Sequence, residues 1–216
     1  MLYHTVRLIL RLLFLLLTRR RVKGRGNIPS RGPVIFVSNH IELVDSPLLW
    51  ISLNRRAYFM AKEEMFNSKI IAYFMTSFGA FPVGKGRPDR RALLKARQVL
   101  DDGHALIIYP EGMRSQSRQI KLAFHGAALI ASRSGAPIIP VGISGTEKIR
   151  GMAWLWRRPE ITVNIGQAFT LPKTDGRLTK VELAKLTDVI MGHIAEVLPV
   201  KYRGYFKYGR LNFIEG

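Results

Sequence analysis

The chain has 216 residues, 47% of them hydrophobic, no cysteine, and a formal net charge of +19 from 34 basic against 15 acidic side chains. The apolar share suffices for one core, and the missing cysteine excludes disulfides, thiolate nucleophiles, Cys-based zinc sites and thioester-linked enzyme intermediates. A field this positive selects anionic partners: lipid, nucleic acid or an acidic substrate.

The N-terminus decides among them. Residues 2–18 form an apolar run followed at once by Arg19, Arg20, Arg21, Lys23 and Arg25, and nucleic-acid binders seldom begin so apolar. As a helix this run is about 25 Å long, short of a hydrocarbon core of about 30 Å. Arg7 and Arg11, four apart, share a helix face, so the segment is expected to lie in the interface with both arginines snorkelling outward, the alternative being a single-helix span that thins the bilayer. The cations after it are expected to bind anionic headgroups and to keep the chain on the cytoplasmic face of the cell membrane. No small-residue cleavage site precedes them, which argues against a signal peptide. Residues 1–25 are thus read as a membrane anchor with a basic flank, and residues 26–216 as one domain.

After residue 32, β-rich and helical runs alternate. PVIFVSN is followed by DSPLLWISL, AYFMA, a helical stretch KEEMFNSKIIAYFMTSF, AFPV, and a helix PDRRALLKARQVLDD with Pro88 in its first turn. Strand HALIIY, helix FHGAALIASRS with Gly135 as its C-cap, strand APIIPVGI, strand ITVNIG and a final helix from Lys180 to about Val197 complete the series. This alternation predicts an α/β fold, a mostly parallel mixed sheet flanked by helices. In such folds polar chemistry gathers where strands end and helices begin.

Three polar clusters sit at such points. In Ser38-Asn39-His40-Ile41-Glu42-Leu43-Val44-Asp45, a strand end and a helix start are separated by a spacer that lets Asp45 fold back on His40. A carboxylate on one imidazole nitrogen fixes the tautomer and leaves the other free to accept a proton; no serine is needed if the substrate brings the hydroxyl. Asp45 before Ser-Pro is also a good helix N-cap, and the two roles are compatible. Tyr109-Pro110-Glu111-Gly112-Met113-Arg114-Ser115 places a carboxylate and a guanidinium on a turn after a strand, either as a site or as a local ion pair on a Pro-x-Gly turn. Phe81 to Arg87 is a basic glycine loop able to hold a phosphate through Lys85, Arg87 and its amides.

Together and in this order, these clusters resemble the glycerolipid acyltransferase family, which includes bacterial 1-acyl-sn-glycerol-3-phosphate acyltransferases. His40 through Asp45 is similar to its catalytic His-x-x-x-x-Asp motif, Gly79–Lys85 to its second block, Tyr109–Ser115 to its third and Ala136–Val141 to its fourth. The chain departs from the pattern at Lys85, where arginine is usual, at Gly84, where aspartate is frequent, and at Met113, where threonine is usual. Lysine keeps the charge but not the bidentate fork.

The resemblance implies transfer of a fatty acyl group from acyl-CoA or acyl carrier protein to the free hydroxyl of 1-acyl-glycerol-3-phosphate, giving phosphatidic acid, with another lysolipid or glycerol-3-phosphate as the alternative acceptor. It implies His40 as general base and Asp45 as its partner, with Lys85, Arg87 and Arg114 binding the acceptor phosphate, Glu111 positioning the glycerol or an arginine, and Gly112 in the same substrate-binding turn. No cofactor and no metal are expected: the remaining histidines lack ligand spacing. The expected partners are membrane lipids, the acceptor and the acyl donor, and no nucleic acid. A Ser-His-Asp lipase would need a Gly-x-Ser-x-Gly elbow, which does not occur. A non-enzymatic basic membrane module would leave the ordered clusters without a purpose. Trp154 and Trp156 beside arginines suggest a second membrane-contacting loop or a residue pair buried under one, and Met60, Met65 and Met75 are read as core rather than as an acyl channel.

Overall fold

Alternate residues of the central strands point to opposite faces of one sheet, and the apolar content of both faces explains why helices cover each of them. The computed structural model describes residues 2–84, 89–149, 152 and 154–206. Its strands are β1 (Arg19–Lys23), β2 (Val34–Ser38), β3 (Ala57–Lys62), β4 (Ala80–Val83), β5 (Ala105–Ile108), β6 (Ile138–Ser144) and β7 (Glu160–Ile165). They form one sheet in the order β1-β7-β6-β2-β5-β3-β4, with every neighbouring pair parallel except β6 and β7. The expected mostly parallel mixed sheet is therefore present.

On one face, Ile35, Val37, Leu106, Ile108 and Ile138 pack against α4 (Arg90–Asp101), α5 (Gly126–Ser134) and α7 (Lys180–Glu196). On the other, Val34, Phe36, Ile107, Ile139 and Val141 pack against Leu48, Leu49 and Leu53 of the α2 (Asp45–Ser52) segment and Phe14 of α1 (Leu2–Leu17). The α3 helix (Lys69–Ser77) joins this second layer through Phe78, whose ring meets Trp50 of α2 edge-on at 5.4 Å; Trp50 in turn meets Tyr3 of α1 at 4.8 Å. The short α6 (Trp154–Arg157) packs beside α1.

Several expectations need correction. Residues 19–23, read as a headgroup-binding flank of the anchor, form edge strand β1, paired in register from Arg19 with Glu160 to Lys23 with Asn164. The sheet therefore begins inside the segment 1–25. Arg7 and Arg11 do not snorkel outward: Arg7 donates to the carbonyl of Leu53 and Arg11 to that of Ile51 at 3.2 Å. Those carbonyls belong to the end of α2, where the last turn leaves acceptors unpaired and the helix dipole favours cations. The outer face of α1 is left to Leu8, Ile9, Leu12, Leu13, Leu15 and Leu16, all exposed. Among the described residues no helix is long and apolar enough to cross a membrane.

The stretch 62–78 is not one helix but a 3-10 turn, Glu63–Phe66, and then α3, broken at Asn67 and Ser68. The α4 helix starts at Arg90 with Asp89 as its N-cap; Pro88, expected in its first turn, lies outside the described residues. Of the methionines read as core, Met60 packs against the first layer while Met65 is exposed.

Candidate active site

β2 and β5 are parallel neighbours, so their carboxyl ends lie side by side. From β2 the chain passes to α2 on one face of the sheet, and from β5 to α5 on the other. This divergence opens a crevice at the carboxyl edge, the position where open α/β sheets bind ligands. Both leading polar clusters lie there.

The backbone at His40 is held from several directions. Asn39, buried at the end of β2, donates through Nδ2 to the carbonyl of Ile143 at 2.9 Å and accepts from the Ile143 N–H at 2.8 Å. Its amide acts as an extra peptide unit that carries the β2–β6 pairing one step further. The His40 N–H donates to Glu111 Oε1 at 3.2 Å, and the His40 carbonyl accepts from the Ser115 N–H at 2.7 Å. Glu111 Oε2 accepts from the Lys121 N–H at 3.1 Å. Both oxygens of Glu111 are thus engaged by backbone amides, and the carboxylate joins the two loops instead of lying open to a ligand.

The His40 ring is fixed as firmly. Nδ1 lies 2.9 Å from Asp45 Oδ2, and the ring of Tyr109 stacks on the imidazole at 4.4 Å between centroids, planes inclined by 24°. Asp45 Oδ2 also accepts the N–H groups of Ile41 at 2.6 Å and Glu42 at 2.7 Å. An acceptor that gathers three donors holds Nδ1 as the N–H, which leaves Nε2 as the basic nitrogen. Nε2 makes no hydrogen bond to a described residue, and the side chain keeps 16% of its exposure. Asp45 is fully buried, and its other oxygen has no hydrogen-bond partner among the described residues. Asp45 is not the N-cap of α2: Val44 holds that position, and the carboxylate points backward to close the loop from His40.

Burial pushes the Glu111 carboxyl up to about 7, the two backbone donors opposing this and the charge of Asp45 adding to it. Burial also pushes the Tyr109 phenol up, with Asp45 again contributing. The site therefore concentrates acid groups in a poorly solvated place.

Gly112 has φ of +64°, and a Cβ there would stand 2.8 Å from the ring of Phe124. The turn after Glu111 accordingly needs glycine both for its left-handed backbone and for space. Arg114, two residues on, is exposed and forms no hydrogen bond or ion pair with a described residue. It is available to an anion at the mouth of the crevice. Lys85 and Arg87 lie outside the described residues. The ends of their loop are tied together, since Asp89 accepts from the Gly84 N–H at 2.7 Å while capping α4 through the N–H groups of Arg91 and Ala92.

An imidazole with one open ring nitrogen, a carboxylate that orients it and a nearby guanidinium unpaired among the described residues make an arrangement able to deprotonate a hydroxyl on an anionic molecule. The sequence profile of the acyltransferase family matches residues 19–144, from β1 through β6. The chain belongs to the acyltransferase family.

Similarity to individual acyltransferases agrees. The chain is 30% identical over 131 residues to the chloroplastic 1-acyl-sn-glycerol-3-phosphate acyltransferase of Brassica napus, covering 59% of this chain and 38% of that one. It is 26% identical over 178 residues to the 1-acyl-sn-glycerol-3-phosphate acyltransferase of Bacillus subtilis, covering 82% and 87%. The crystal structure of the 1-acyl-sn-glycerophosphate acyltransferase of Thermotoga maritima superposes with a TM-score of 0.68 at 26% identity, over 90% of this chain and 78% of that one. The chain spans little more than a third of the chloroplastic relatives, 38% and 36% of their length.

The spacing read in the sequence paired His40 with Asp45, as the contact between them does, but it did not show the residues that hold the pair. Tyr109 stood in a recognised cluster with no role assigned, and its place at the end of the strand next to the one bearing His40 was the available signal. Asn39 offered only its position before the histidine.

Proposed function

We propose that the protein transfers a fatty acyl group from an acyl thioester, of coenzyme A or acyl carrier protein, to the free hydroxyl of 1-acyl-glycerol-3-phosphate at a membrane surface. The names of the relatives support this acceptor. The observation that carries the chemistry is the Nδ1–Asp45 contact of 2.9 Å, which leaves Nε2 of His40 in the crevice without a partner among the described residues.

In this reading Nε2 takes the acceptor's proton while its oxygen bonds to the thioester carbonyl, and Asp45 stabilises the resulting imidazolium. Collapse of the tetrahedral intermediate breaks the carbon–sulfur bond, and the imidazolium returns the proton to the departing thiolate. No acyl-enzyme forms. Arg114 meets the acceptor phosphate, joined by Lys85 and Arg87, and Gly112 keeps the turn before Arg114 open. Glu111 holds His40 in place.

The anchor in this reading is the exposed leucine face of α1, which lies in the interface on the cytoplasmic leaflet. Its apolar surface is displayed because both of its arginines are turned inward. The test is thiol release and phosphatidic acid formation from acyl-CoA and lysophosphatidic acid by wild type and His40→Ala. Product from wild type alone is expected, and equal turnover by His40→Ala would overturn the mechanism.

A further inference from the structure

Beyond the acyl-transfer site, an open cleft of about 430 Å³ is lined by Arg19, Lys148, Arg157, Arg158, Pro159 and Glu160. Four cations thus face one carboxylate, and that carboxylate is already paired with Arg21 at 3.1 Å. Arg158 is partly committed as well, donating to the carbonyl of Leu15 at 3.0 Å near the end of α1. Arg19, Lys148 and Arg157 are exposed and form no ion pair with another described residue. Such a density of unneutralised cations is costly without an anion to face.

The cleft's place in the fold indicates where the anion comes from. β1 and β7 run antiparallel to β6, so their first residues, Arg19 and Glu160, lie at the same sheet edge as Lys148 after β6 and His40 after β2. Three strand spacings from β2 to β1 put the cleft about 14 Å to the side of His40. It lies on the β6 side, whereas Arg114 follows β5 on the other. Around the cleft stand strongly exposed apolar side chains: Trp156 at 91%, Leu15 at 60% and Leu16 at 65%. Tryptophan and leucine beside arginines match the chemical layering of a lipid interface, with acyl chains next to phosphates.

We infer that this cleft binds the phosphate of an anionic phospholipid headgroup, docking the α1–α6 corner on the bilayer so that the carboxyl edge of the sheet faces the membrane. Phosphate is the ligand chemistry, and the flanking Trp156 and leucines assign its source to the bilayer. The lipid source rests on the interfacial reading of α1, while the phosphate site does not.

Co-sedimentation of the full chain with phosphatidylcholine vesicles, with and without phosphatidylglycerol, tests this. Lys148→Gln/Arg157→Gln is expected to lose its preference for the anionic vesicles, by roughly fivefold per cation. Arg91→Gln/Lys95→Gln removes two exposed cations from α4 on the opposite layer and is expected to retain the preference. Turnover of a soluble short-chain acceptor should be unchanged in both, which establishes that each folds. Equal losses in the two variants, or none in the first, would overturn the cleft. If wild type ignores both kinds of vesicle, the reading of α1 fails and inorganic phosphate tests the cleft alone. Saturable binding by wild type but not by Lys148→Gln/Arg157→Gln would then uphold a phosphate site with a soluble source, and no binding would overturn it.

Discussion

The phenol ring of Tyr109 lies against the imidazole of His40, centroids 4.4 Å apart, and thereby closes the side of the base that Asp45 does not reach. A stack of this kind contributes about 0.5–1.5 kcal/mol beyond buried area. Tyr109→Phe keeps the stack and is expected to retain near-wild-type turnover. Tyr109→Leu should lower kcat by a factor of roughly 2 to 12, with the acceptor KM unchanged, because the base is less well oriented while the phosphate contacts remain. Steady-state kinetics of the two variants check this, and equal activity would show that the stack positions nothing.

Asp45 serves two functions through one oxygen. Asp45→Asn can still accept the Ile41 and Glu42 N–H groups if its carbonyl takes the place of Oδ2, but it cannot stabilise an imidazolium. Acyl transfer should fall by about three to four orders of magnitude. Since Val44 and not Asp45 is the N-cap, stability should change only through this loop, by about 1–3 kcal/mol. Denaturant melts alongside turnover separate the two effects; near-wild-type turnover would reduce Asp45 to a loop brace.

Glu111 gives a pH signature. Its folded carboxyl titrates at about 7, against 4.5 as its ordinary value. Below 4.5 it is protonated in both folded and unfolded chains and its contribution is fully present. Between 4.5 and 7 the unfolded chain ionises first, so stability falls across that window, by on the order of 3 kcal/mol, and is flat above it. Glu111→Gln should remove this slope. Its amide cannot accept both the His40 and the Lys121 N–H groups, so kcat is expected to drop with KM preserved. Denaturation midpoints from pH 4 to 8 for both proteins provide the check, and parallel curves would place the titration elsewhere.

What was legible in the sequence was what local pattern controls. The alternating apolar runs gave the central strands, and the His40–Asp45 spacing gave the dyad, because both depend on neighbours in the chain. The strand Arg19–Lys23 was not legible: its residues are almost all cationic, and it exists because β7 offers it an unpaired edge. The direction of Arg7 and Arg11 was set by the open carbonyls at the end of α2, some forty residues away in sequence. Asp45 was read as a cap as well as the partner of His40 because Asp-Ser-Pro is a good cap sequence, and tertiary closure of the His40 loop outweighed the capping preference. Glu111 was read as facing a ligand because nothing local shows that two distant amides take both its oxygens.

Arg114 differs from Glu111 in being unengaged among the described residues, and the difference is measurable. Arg114→Ala should raise the apparent KM for a phosphate-bearing acceptor by the loss of a charge-assisted bond of about 1.5–3 kcal/mol, a factor of roughly 10 to 150. KM for an acceptor without phosphate should not change. A KM that is unaffected in both cases would remove Arg114 from phosphate recognition.

The proposed membrane attachment through α1 calls for a test that leaves the fold intact. Deleting residues 1–25 would remove strand β1, the core residue Phe14 and the arginines that satisfy the end of α2, so loss of activity in that truncation would be uninformative. Leu12 and Leu16 are four apart on the exposed face, at 48% and 65% exposure, and touch none of these elements' functions. Leu12→Gln/Leu16→Gln is expected to weaken vesicle binding by about tenfold per leucine, each fully buried side chain being worth about 1.5–3 kcal/mol. Thermal stability should hold, because these side chains already face outward. Turnover of a soluble short-chain acceptor should also hold, because the dyad stands on β2 and α2. Unchanged partitioning would exclude this face of α1 as the anchor, whereas parallel loss of soluble turnover would show that α1 shapes the site itself.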